Sequence, residues 1–182
     1  MKAVFELLLP AQAGNRLRGS QVPFYLLILV AAVGTVRSLI HIFAPDGGAG
    51  SIAGMNLAVA GADDVIFAFA LWGSEQLVFA LLQWVVILRY RSLVPLMWVF
   101  LLIEILGRML VGQLKPVSFA HTPPGAKGNY LFLVLSVLML ALTLWTGLRD
   151  HSGTPRPSEK DQGRSEALRK ESDEIGLDTR AR

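Results

Sequence analysis

Arg37, His41, Glu75, Glu104 and Arg108 are ionisable side chains set inside long apolar stretches of this chain. Such groups are costly in hydrocarbon and normally face a bundle interior or a water-filled cavity. The residue types suit two chemistries. The arginines could hold an anion or a polar headgroup, and either glutamate could accept a proton. The same groups could instead neutralise one another and fix helix register. Glu104 precedes Arg108 by one helical turn, the favourable order for a pair along a helix. Arg37 and Glu75 are placed to pair between helices.

Each charge lies in a stripe of small or polar residues at helical spacing. The stripes are Gly34, Arg37, Ser38 and His41; then Trp72, Glu75, Gln76 and Gln83; then Glu104, Gly107, Arg108 and Val111. A fourth stretch offers only Ser136, Thr143 and Gly147. Small residues let helices approach, and hydroxyls and amides bond across the gap. The stripes are therefore expected to face inward. The expected binding residues are Arg37, His41, Trp72, Glu75, Gln76, Glu104 and Arg108, in one polar core open toward the non-cytoplasmic side.

Other chemistry is thin. The chain has no cysteine, which excludes disulfide scaffolds, cysteine zinc sites and thiol nucleophiles. His41, His121 and His151 stand on different segments, and no HExxH occurs, so no metal site is expected. No Walker A or GxGxxG loop is present, no serine has a base at catalytic spacing, and no cofactor is implied.

The elements that must position these residues follow from hydropathy. Hydrophobic residues make up 53% of the 182 positions and charged residues only 17%, with a mean hydropathy of +0.49. Soluble domains carry about 25% charge. Nearly half of the charge lies beyond residue 149. Crossing a bilayer as a helix takes about 20 apolar residues, and four stretches qualify: 22–44, 65–88, 93–112 and 130–148. The expected fold is an all-α, integral-membrane four-helix bundle of up-down topology, with a cytoplasmic arm over 1–21 and a disordered cytoplasmic tail over 149–182. Pro23 and Pro95 suit first turns, Pro45 follows a helix end, and Asp63 and Asp64 suit an N-cap and a first-turn acid. At a rise of about 1.5 Å per residue, both glutamates fall near the midplane and both arginines about one turn further out.

Orientation follows the basic flanks. Lys2, Arg16, Arg18, Arg89, Arg91 and the basic residues of the tail lie on one side, against Lys115 and Lys127 on the other. Both termini are expected in the cytoplasm of a bacterial cell, with the spans in its inner membrane. This accounts for the pI near 9.5 without nucleic acid. Residues 4–9 are too short for a signal peptide, contain Glu6 and run into Pro10. They suit an interfacial helix with Phe5, Leu7, Leu8 and Leu9 in the headgroups. The glycine-rich loop 45–62, in which 50–59 could make a short interfacial helix, and the proline-rich loop 113–129 are expected as plain connectors, with cover of a pocket mouth as the alternative. The short link after residue 88 makes spans two and three a tight hairpin. A transient helix over 165–175 is expected in the tail.

The body also resembles the small four-helix bacterial membrane proteins of the DoxX-like kind. The resembling pieces are Ala44-Pro45-Asp46, Trp72-Gly73-Ser74-Glu75-Gln76, Arg89-Tyr90-Arg91 and Gly107-Arg108. The resemblance implies no settled activity. Some DoxX-like members are linked to quinone or thiol redox systems, and the absence of cysteine here argues against the thiol role. The long charged tail departs from the usual pattern.

Together these features imply a small binding or accessory protein, not demonstrably an enzyme, holding a lipid headgroup, quinone or small anion in a polar intramembrane pocket. The alternatives are a proton-coupled carrier or membrane enzyme using Glu75 or Glu104, and a structural subunit of a larger membrane complex. The partners implied are the bilayer, that ligand, and a homo-oligomer or membrane-complex neighbour.

Overall fold

The computed structural model describes residues 2–117 and 124–153, the side chains at 124–127 and 151–153 excepted. His121, the imidazole of His151, the rest of the expected tail and its 165–175 helix lie outside the described residues. Contacts divide the chain into Met1–Arg149 and Asp150–Arg182. Of the second unit only residues 150–153 are described.

The described residues are helical, without strands. The helices are α1 (Lys2–Leu8), α2 (Val22–Phe43), α3 (Ala62–Arg89), α4 (Val94–Leu114) and α5 (Pro124–Gly153), with a 3₁₀ turn at Arg91–Leu93 before α4. Within α2 to α5, four segments are long and apolar enough to cross a membrane. Their outward faces carry a belt of exposed side chains such as Leu29, Val36, Leu81, Leu106 and Leu131. In water that belt would drive aggregation; in hydrocarbon it is the matching surface. The chain is a multi-pass membrane protein.

Helix ends follow local chemistry with one exception. Pro23 stands in the first turn of α2 and Pro95 in that of α4, where the missing N–H costs nothing. Asp63 and Asp64, expected partly as a cap, both lie inside the first turn of α3. The N-cap is Gly61, at φ +84°, with no side-chain cap bond. Glycine adopts that left-handed geometry freely, and the two acids act instead on the positive end of the helix dipole. At the other end of the chain, α5 continues through residues 149–153, which the sequence reading assigned to the tail.

The tightest helix pair is α2 with α3; α3 and α4 touch sparingly despite their short link. The short link fixes proximity at one end only, whereas small residues set how closely two helices lie along their length. Gly73 lies against Ser38 and His41, and Gly34 against Ala80. A core of Phe24, Leu27, Val86, Val94, Met97 and Trp98 fills the end of the bundle that carries the arm. There the indole Nε1 of Trp98 donates to the Pro23 carbonyl at 3.2 Å.

The arm packs differently from expectation. Leu7 is buried, and a Cβ on Gly147 of α5 would come within 2.9 Å of it. Leu7 therefore belongs to the protein interior and not to the headgroups, while Phe5 and Leu9 stay exposed. Further along the arm, Gly14 N–H donates to Ser92 Oγ at 2.9 Å, and Ser20 N–H to Thr146 Oγ1 at 2.9 Å. Residues 50–59 form turns, a bend and irregular chain, not an interfacial helix.

Candidate functional site

Beyond the apolar core the helices part around a cavity of about 720 Å³. It runs from the level of Val30, Gln83 and Leu101 to the end of the bundle that carries loop 44–61, where Ile52 and Gln113 line it. Its charged and polar walls come from Arg37 on α2, Trp72, Gln76 and Gln83 on α3, and Glu104 and Arg108 on α4. Near the start of α5, Asn129 and Tyr130 complete the wall.

Arg37 is held from two sides. Its guanidinium lies 5.0 Å from the centre of the Trp72 ring, within cation–π range. Its Nε donates to His41 Nε2 at 3.2 Å. His41 is fully buried, and its Nδ1 lies 2.6 Å from the Gly47 carbonyl. Because Nε2 accepts, the ring proton belongs on Nδ1, which donates to Gly47. The imidazole thus ties the cavity arginine to loop 44–61. Trp72 and Phe69 pack against it, with ring centres 5.1 and 5.7 Å away. Gly48, at φ +69°, permits this approach: a Cβ there would lie 2.9 Å from His41 Nδ1.

Arg108 is held loosely. Its Nη2 lies 3.8 Å from Glu104 Oε1, an ion pair too long for a hydrogen bond. Arg108 Nε is buried and has no hydrogen-bond partner among the described residues. Gln83 is only 2% exposed yet lines the cavity, so its amide is a polar handle in an apolar pocket floor. Ser136 and Thr143 are buried as expected; Thr143 Oγ1 donates to the Met139 carbonyl at 2.7 Å, whereas Ser136 Oγ has no partner among the described residues.

Glu75 does not join this group. It is exposed, lies outside the cavity lining and makes no pair with Arg37. The reason is rotation. Phe69, Trp72, Gln76, Phe79 and Gln83 line the cavity, and Glu75 is turned about 100° from Gln76. Its own face holds Leu71, Val78 and Leu82. Gly107 and Val111 also point outward. Of the expected site residues, Arg37, Trp72, Gln76, Glu104 and Arg108 line one cavity, and His41 supports it from behind. Phe69, Asn129 and Tyr130 were not expected there. Phe69 was findable, since it falls three before Trp72 and seven before Gln76.

Loop 44–61 is ordered by Asp46. Its Oδ2 accepts from Ser51 N–H at 2.7 Å and its Oδ1 from Gly48 N–H at 2.9 Å. These bonds, that from Ser51 foremost, hold the Asp46 carboxyl below the ordinary aspartate range. A lowered folded value gives stability that is present above the unfolded value and lost as pH falls through the folded one. The Gly48 and Ser51 amides should therefore exchange slowly with solvent hydrogen at neutral pH and fast in Asp46→Ala. Equal exchange in the two proteins would refute this role.

No family model, curated protein or solved structure matches the chain. Among the described residues no cluster of His, Asp and Glu is placed to hold a metal ion.

Proposed function

We propose that this is a small binding protein of the bacterial inner membrane, with both termini in the cytoplasm and a cavity for the headgroup of an anionic amphiphile. The orientation rests on the Lys and Arg of the arm, the 89–91 link and the tail. The observation that carries the ligand reading is the buried, unpartnered Nε of Arg108 at the cavity wall. A buried donor without an acceptor is expensive, and an acceptor atom on a ligand removes that cost. Two arginines and one glutamate at the wall leave one net positive charge, which suits a singly charged head. The apolar floor suits an attached chain, which a small free anion would leave unfilled and which a lipid or a quinone would supply. The likeness to DoxX-like proteins belongs to this reading, and three residues that carry it, Trp72, Gln76 and Arg108, line the cavity.

The test is mass spectrometry of the protein released intact from mild detergent, followed by titration with phosphatidylglycerol and with a fatty acid. A bound anionic amphiphile is expected. Arg108→Gln should weaken its binding about 10- to 100-fold, the loss of one charge-assisted hydrogen bond. A protein that carries nothing, takes up neither probe, and loses only stability on Arg108→Gln would leave the charges a purely structural role.

A further inference from the structure

Midway along α3 stands a carboxyl that the bundle does not use. Glu75 is exposed on the outward face of a membrane-crossing helix and has no ion pair or hydrogen bond among the described residues. The other outward faces are apolar at this depth: Val36 on α2, Ile103 and Leu106 on α4, Val137 and Leu138 on α5. Ionisable groups in a span normally face protein or water, so a carboxyl pointing at lipid marks a face that something polar covers. The neighbours of Glu75 give the shape of that cover. Ala68, Leu71, Glu75, Val78, Leu82 and Val85 are all exposed. Their spacing alternates three and four, the seam of a left-handed helix pair.

We propose that this seam is where a second copy of the chain docks, α3 against α3, with Glu75 hydrogen-bonded to its counterpart. Copies inserted by one flanking-charge rule share one orientation. Their α3 helices then run parallel about a two-fold axis along the membrane normal, and equal depths meet. A second copy thus brings a hydrogen-bonding group to the level of Glu75. Two carboxyls with a proton between them are self-complementary, one as O–H donor and the other as acceptor. Arg37 and Arg108 do not compete for Glu75, because both line the cavity and Glu75 lies outside that lining. The charged ends of the seam, Asp64 and Arg89, fall at the helix termini, where solvent screens like charges. The dimer does not depend on what the cavity holds.

The chain has no cysteine, so single cysteines report contacts cleanly. Leu71→Cys, Val78→Cys and Leu82→Cys, oxidised in native membranes, should each give a disulfide-linked homodimer. Leu29→Cys and Val36→Cys on α2 should give none. Adding Glu75→Ala should lower the linked fraction about 5- to 30-fold, the loss of one interhelical hydrogen bond; Glu75→Gln, whose amide also pairs with itself, should retain it. The proposal is overturned if the seam positions stay monomeric, if α2 positions link equally well, if the seam links to a different protein, or if Glu75→Ala changes nothing.

Discussion

Gly73→Ala should destabilise the protein by about 2 kcal/mol, although it adds a single methyl group. The new Cβ would stand 2.6 Å from His41 Cβ and 3.2 Å from the Ser38 carbonyl oxygen. Neither is the end of a flexible side chain, so the α2 backbone itself must move away. That displacement breaks the closest helix pair in the bundle and shifts His41 with it. Gly34→Ala is the internal control, because its nearest neighbour would be Ala80 Cβ at 4.0 Å, an ordinary contact. There the gain in helix propensity, about 0.5–1 kcal/mol, should dominate and the protein should become slightly more stable. Thermal unfolding in detergent, followed by helical circular dichroism, measures both. Equal transitions for the two variants would show that the α2–α3 contact is not close-packed.

His41→Leu should cost about 3 kcal/mol, from two separate losses. Leucine fills roughly the same space but removes the donor to Gly47 O and the acceptor for Arg37 Nε. Each buried group left without a partner costs about 1–3 kcal/mol. The effect should be local as well as global. Loop 44–61 loses its bond to α2 and should be cut faster by protease, and Arg37, held then only by Trp72, should bind a headgroup less selectively. His41→Phe should behave like His41→Leu, because the aromatic contacts with Phe69 and Trp72 survive and the hydrogen bonds do not. If His41→Phe matches the parent in stability and loop protection, the imidazole serves only as a packing group.

The four spans were legible because continuous apolar runs leave a membrane helix as the only way to satisfy the backbone. The association of Arg37, Glu104 and Arg108 was legible too, and all three line the cavity. Rotation was not read as well. Glu75 was grouped with Trp72 and Gln76 because polar residues were collected into one stripe, whereas the apolar residues at 71, 78 and 82 already marked a second face. The hairpin of α3 with α4 was inferred from a short link, and the small residues at Gly73 and Gly34 decided for α2 instead. The bond from His41 to Gly47 depends on how loop 44–61 folds back, which no pattern of residue types reveals.

The arm clasps residues far along the chain, since Gly14 and Ser92 lie 78 positions apart and Ser20 and Thr146 lie 126 apart. Synthesis runs from the amino end, so the arm emerges from the ribosome long before its partners exist. It must wait undocked until α5 has been threaded into the bilayer. The segment made first is therefore among the last to settle, and its docking marks the completion of biogenesis. A chain that stops short of α5 cannot close this clasp, because the Thr146 hydroxyl is missing.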